Sequence, residues 1–135
     1  MKEIKTTPKI STSEFTIQLR EDGIIHLYLH DQIEISKNTL IELSENIKKL
    51  VGDKAAPLIV EAGEFVEVTK EAKEFANEYE SEIPIISRAI VTKNLAQKII
   101  AHYYYKNRKV SSPVKEFDTI EDGIKWLKDL KEEQF

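Results

Sequence analysis

Three kinds of residue in this 135-residue chain could do chemistry: its histidines, an arginine set in an apolar run, and a threonine at a helix start. His26 and His30 stand four apart in IIHLYLH, a strand-like run. They share a face but lie roughly 13 Å apart along it, too far to hold one metal ion unaided. His102 comes one helical turn after Ile99 and adjoins Tyr103, Tyr104 and Tyr105, so it is the histidine nearest a pocket. A general base would also need an orienting acid and a substrate cavity, which no pattern here supplies. Arg88 interrupts an apolar strand, and a buried arginine demands a carboxylate; Glu61, at the end of the preceding strand, is the candidate partner. Glu61, Arg88 and His102 thus form the candidate pocket set. Thr69 precedes an amphipathic run and suits its N-cap.

The elements that must position these residues follow from periodicity. Residues 1–13 bury almost nothing and read as a flexible leader, with a single domain over 14–131 and a short tail at 132–135. Phe15, Ile17 and Leu19 alternate with Thr16, Gln18 and Arg20. After the turn signal Glu21-Asp22-Gly23, Ile25, Leu27 and Leu29 alternate again, giving an antiparallel hairpin. Ser36 suits the N-cap of a helix with the stripe Leu40, Leu43, Ile47 and Leu50, ended by Gly52. A short strand at Pro57–Val60 leads to a helix after Thr69 that buries Ala72, Phe75, Ala76 and Tyr79.

The run from Ile83 to Lys109 is one βα unit. Ile85, Ile86, Ala89, Ile90 and Val91 are apolar on both sides of a period-2 ladder, as in a parallel strand covered on both faces. Thr92 or Asn94 caps the next helix, where Leu95, Ala96, Ile99, Ile100 and Tyr103 make a core-facing stripe. Val114 and Phe117 mark a last strand, and Thr119 with Asp122 opens a final helix burying Ile120, Ile124, Leu127 and Leu130, flanked by Trp126. Gly123 inside that helix costs about 1 kcal/mol against alanine, which close packing on a neighbour would explain. The order is ββαβαβαβα: an α/β fold with an opening antiparallel hairpin and a mixed, mainly parallel sheet packed by four helices.

Composition narrows the function classes. A net charge of −4 argues against general nucleic-acid affinity, and no apolar run reaches a membrane span. With no cysteine there is no thiolate nucleophile, disulfide or Cys-based metal site, and no phosphate-loop or cofactor signature stands out. Charge is nonetheless uneven. Between Glu61 and Glu82 eight glutamates face two lysines, a local −6, while Lys93 to Lys109 holds five bases and no acid, a local +5. Solvated helix faces explain this simply; guidance of a protein partner or of self-association is the functional reading. The candidate interaction surface is Glu71, Glu74 and Glu78 with Lys98, Tyr104, Tyr105, Lys106 and Arg108.

The element order, the stretch PLIVEAGEFVEVTKEAKEFA, the strand Ala89–Thr92 with its helix ending in tyrosine, Pro113–Phe117 and Trp126-Leu127 together resemble the STAS superfamily. That superfamily comprises anti-sigma-factor antagonists and relatives sharing a fold with CRAL-TRIO domains; the chain looks closest to small bacterial STAS-like proteins. The resemblance implies a regulatory module, and the lack of cysteine, of an apolar span and of a signal-peptide core in MKEIKTTPKI reads as a soluble cytoplasmic one. It also implies a phosphoacceptor hydroxyl after the third strand, which falls on Thr69 with Glu67 as the neighbouring acid, although the serine and glycine of the family turn are replaced here. A phosphate there would meet free N–H groups at the positive end of a helix. The expectation is a non-catalytic interaction module, homodimeric in its simplest form. The alternatives are a small apolar ligand or lipid-binding protein, and an enzyme using His102.

Overall fold

The computed structural model describes residues 8–79, 82–106 and 112–133. Its elements run β1 (Lys9–Ser11), β2 (Phe15–Leu19), β3 (Ile25–Leu29), β4 (Glu34–Ile35), α1 (Lys37–Val51), β5 (Ala56–Ala62), β6 (Glu67–Val68), α2 (Lys70–Tyr79), β7 (Ile85–Val91), α3 (Leu95–Lys106), β8 (Val114–Phe117) and α4 (Ile120–Glu133). Six strands form one sheet in the order β1-β2-β3-β5-β7-β8, antiparallel from β1 to β3 and parallel from β3 to β8. This is the mixed α/β architecture that the order of strands and helices predicts.

The two faces of the sheet are covered unequally. Phe15, Ile17, Ile25, Leu27 and Leu58 are buried on one face beneath Ile47 of α1. α2 and α3 lie on that same side, as right-handed crossovers between successive parallel strands require. On the other face α4 alone covers β5, β7 and β8, with Leu127 completely buried against Ile59, Ala89 and Val91. α4 meets the hairpin near its turn, where Ile24 joins the Leu127 cluster and Lys128 stands 3.5 Å from Asp22, while Thr16, Gln18, His26 and Tyr28 farther along the strands are half-exposed. That arrangement explains the sequence pattern: β2 and β3 alternate because one face is solvated, whereas β7 is apolar on both faces because both are covered.

Caps and turns set the boundaries. The Ser36 side chain accepts from the Thr39 backbone N–H, and the Thr39 hydroxyl accepts from the Ser36 N–H, a reciprocal box that starts α1. Thr69 caps α2 by accepting from the Ala72 N–H at 3.0 Å. These caps are held side by side by the two-residue parallel pair β4–β6, in which the Thr69 N–H donates to the Ile35 carbonyl. Asn94, not Thr92, caps α3, accepting from the Gln97 N–H at 2.9 Å.

Some expectations fail. Lys9–Ser11, assigned to a loose leader, pairs with β2 as the edge strand. The pairs β4 and β6 were not legible because two residues carry no period. In α3 the expected core stripe holds only in part: Leu95 is 72% exposed and Ile99 62%, Ala96 and Ile100 border the cavity, and the Tyr103 side chain lies outside the described residues. α3 stands over a cavity and not flat on the sheet, and Ala101 is its buried residue.

Two features yield measurable consequences. In the β2–β3 turn, Gly23 takes φ +83°, and Asp22 accepts from the Arg20 guanidinium and from the Ile24 N–H, with Lys128 of α4 at 3.5 Å. Burial alone raises the Asp22 carboxyl, but these bonds and the neighbouring positive charges outweigh it and leave it below its ordinary 3.8. A depressed carboxyl stabilises the fold above its unfolded value and loses that contribution as pH falls through the folded one. Asp22→Asn is therefore expected to cost a few tenths to about 1 kcal/mol at neutral pH. It should also flatten the fall in stability below about pH 3.8 in denaturant titrations. In α4, a Cβ at Gly123 would sit 2.9 Å from the Ile59 Cδ1 and 3.3 Å from the Ala89 Cβ. Gly123→Ala is expected to lower thermal stability by about 1–2 kcal/mol, because overpacking outweighs the helix propensity gained.

Candidate functional site

Between α1, α2, α3 and the sheet lies a cavity of about 570 Å³. Its floor is Leu27, Leu58, Val60 and Ile90, and its walls include Leu43 and Ile47 of α1 and Phe75 of α2. The space exists because the helices present small residues towards it, Ala72 and Ala76 from α2 and Ala96 and Ala101 from α3. Walls so short of hydrogen-bonding groups favour an apolar occupant over water.

Polar groups enter at two levels. Arg88, 6% exposed, lies opposite Leu58 and Val114 in the sheet and donates from Nη1 to the Ser112 Oγ at 3.4 Å. Thr92, four residues on along the same face, is 2% exposed, and its hydroxyl has no partner among the described residues. Gln97 ties the start of α3 to the end of β5: its Nε2 donates to the Ala62 and Gly63 carbonyls, and its Oε1 accepts from the Lys93 N–H.

The adjoining loop is braced by Asp31, whose carboxylate accepts from the Glu64 N–H at 2.8 Å and occupies the space a Cβ at Gly63 would need. Phe65, held at φ 58°, then projects 76% exposed at this end of the cavity. The outer side of α3 is apolar as well, with Leu95 and Ile99 facing solvent and Ile100, 43% exposed, reaching both solvent and cavity.

The residues singled out from sequence are divided by this geometry. Arg88 lines the cavity, but Glu61 does not pair with it: Glu61 lies opposite Val91 and Arg88 opposite Leu58, so alternation sends them to opposite faces. Glu61 instead stands 3.0 Å from His26 Nε2 and 3.5 Å from Lys93 Nζ. His102 is exposed on α3, outside the cavity lining. His30 Nδ1 donates to the Ser13 carbonyl, which fixes its tautomer, and Nε2 accepts from the Thr16 hydroxyl at 2.8 Å.

Glu67 is exposed on β6 beside the Thr69 cap, and Glu71, Glu74 and Glu78 are exposed along α2. Lys98 reaches Asp118 at 3.2 Å. The side chains of Tyr104, Tyr105 and Lys106, and the whole of Arg108, lie outside the described residues. Among the described residues, no group of three His, Asp or Glu is arranged to hold a metal, and no helix is long and apolar enough to cross a membrane. Sequence reasoning missed the cavity and the placement of Thr92 in it; the alanines shared by α2 and α3 were the available signal.

Comparison with solved structures finds an uncharacterized protein from the DUF3478 family with a SpoIIAA-like fold, from Shewanella loihica PV-4. It is 10% identical, with a TM-score of 0.56 over 94% of this chain and 99% of that one. The likeness is one of fold, and this chain has a SpoIIAA-like fold. A chain of the crystal structure of diguanylate cyclase SiaD in complex with its activator SiaC, from Pseudomonas aeruginosa, also matches. There the identity is 12% and the TM-score 0.47, over 84% of this chain and 100% of that one. No curated protein matches. A family model described as a domain of unknown function, DUF7793, matches residues 17–131. Since that span takes in nearly all of the described sheet and helices, the protein belongs to the DUF7793 family.

Proposed function

We propose that the protein is a non-catalytic interaction module that docks through the outer face of α3, and that the surface docked is α2 and α3 of a second copy. The observation that carries this reading is the exposure of Leu95 and Ile99, at 72% and 62%, on one side of α3. Four large apolar residues are strongly exposed among those described, Phe65, Leu95, Ile99 and Ile100, and all belong to α3 or to the loop bonded to its first turn. Scattered single residues of this kind need no explanation, but a patch gathered on one helix marks an interface.

Charge argues for self-association. The acidic stripe Glu71, Glu74 and Glu78 is exposed on α2, and α3, which belongs to a segment rich in bases by sequence, borders the same cavity. A two-fold axis between them sets each acidic helix of one protomer against the basic helix of the other, satisfying both pairings at once. The apolar ridge is then covered at the centre and the charges form the rim. The regulatory role expected of the STAS-like fold accords with a surface that binds rather than reacts.

Light scattering coupled to size exclusion is the direct measurement. The intact chain should elute at twice its monomer mass, with the dimer weakened at high salt because the rim is ionic. Ile99→Glu should run as a monomer with unchanged circular dichroism. A wild-type monomer at high protein concentration overturns the assignment, as does an Ile99→Glu dimer of undiminished strength.

A further inference from the structure

The cavity offers a second recognition function, separate from the outer face of α3. We infer that it binds a neutral, single-chain lipid alcohol, with the hydroxyl head at Thr92 and the tail along Leu58, Val60, Ile90 and Phe75. About 570 Å³ falls within the range of small-molecule sites and exceeds the ~150 Å³ cavity that takes one benzene ring. An elongated tail suits it, because the floor follows β7 from Ile85 to Thr92, roughly 23 Å of strand.

The head group follows from Thr92. Arg88, Ile90 and Thr92 alternate onto the cavity face of the sheet, which aims the Thr92 side chain into the space beneath α3. Its backbone N–H donates to the Phe117 carbonyl, but its hydroxyl is buried without a partner among the described residues. Interiors rarely leave such a group unmatched, and a ligand that brings a hydrogen-bonding atom to it removes that cost. The two cations of the lining, Lys73 and Arg88, are already engaged by other groups, Arg88 by Ser112 among them, so neither calls for an anion. A carboxylate at Thr92 would lose its water for one hydroxyl contact, which is costly. An alcohol both donates and accepts, as Thr92 does, and so suits either orientation of the Thr92 hydroxyl. The entrance is the Gly63–Val66 loop and the first turn of α3, where Phe65, Asn94 and Gln97 border the cavity.

Displacement of the neutral fluorophore N-phenyl-1-naphthylamine from the full-length protein, with decan-1-ol, decane and decanoate as competitors, tests this. The fluorophore should bind saturably at one site per chain, and decan-1-ol should displace it at a concentration roughly tenfold or more below that of decanoate. Thr92→Val keeps the shape of the side chain and removes its hydroxyl. It should weaken decan-1-ol about fivefold, the factor one hydrogen bond supplies, and leave decane unchanged. Without ligand the variant should melt no lower than the wild type, since the hydroxyl lost had no bond to lose. Ala76→Phe fills the cavity from α2 and should abolish binding of every probe. No saturable binding by the wild type overturns the inference, as does decanoate bound as tightly as the alcohol. So does a Thr92→Val protein that melts lower or loses decan-1-ol and decane alike, or an Ala76→Phe protein that folds and still binds. None of these outcomes bears on the oligomeric mass, so the dimer and the ligand site stand or fall separately.

Discussion

Three consecutive parallel pairings, β3 to β5 to β7 to β8, constrain everything else in this molecule. Each crossover steps the same way across the sheet, and right-handedness then sends α1, α2 and α3 to a single face. Only the chain after β8 is free to reach the other side, so α4 must cover that side alone. It covers three strands by lying directly on them, and Gly123 allows this by bringing the helix within van der Waals reach of Ile59 and Ala89. The crowded face meets the opposite difficulty, since three helices arching over four strands leave space between them.

How each helix meets the sheet decides what its sequence can say. α1 and α4 lie against strands and show clean amphipathic stripes with capped starts. α3 lies over the cavity and is apolar around much of its circumference. Its hydrophobic residues therefore divide between an inner side of alanines with Ile100 and an outer side of Leu95 and Ile99. The braced loop at its N-terminus, fixed by Asp31 and Gln97, ties it to the end of β5 without filling the gap beneath.

The hairpin, the four helices and the parallel strands were legible because each carries a period or a cap that local physics enforces. Gly123 was legible too, since glycine within a helix calls for a close neighbour. The exposure of Leu95 and Ile99 on α3 was not: periodicity finds an apolar face but cannot tell whether the face meets a sheet, a cavity or solvent. The proposed Glu61–Arg88 pair failed for a related reason. Strand adjacency could be inferred from order, but pairing also depends on register, and a three-residue offset puts the two side chains on opposite faces. Arg88 was recognisable as an anomaly in an apolar strand, whereas its destination in a cavity depended on four alanines from two helices acting together.

α3 borders the cavity on one side and carries the exposed apolar ridge on the other. Ile100 lines the cavity and is 43% exposed, and Gln97 borders the cavity while holding the loop that carries Phe65. Any occupant of the space beneath α3 would therefore press on the helix whose outer side presents Leu95 and Ile99, and any partner docked on that outer side would restrain the wall of the cavity. Two ligands acting on one element are thermodynamically linked: whatever factor one contributes to the affinity of the other is returned equally. The sign would depend on whether filling the cavity holds α3 in place or displaces it. The size of the coupling is then bounded by how much α3 moves when the cavity fills, because a helix already fixed in one position transmits nothing.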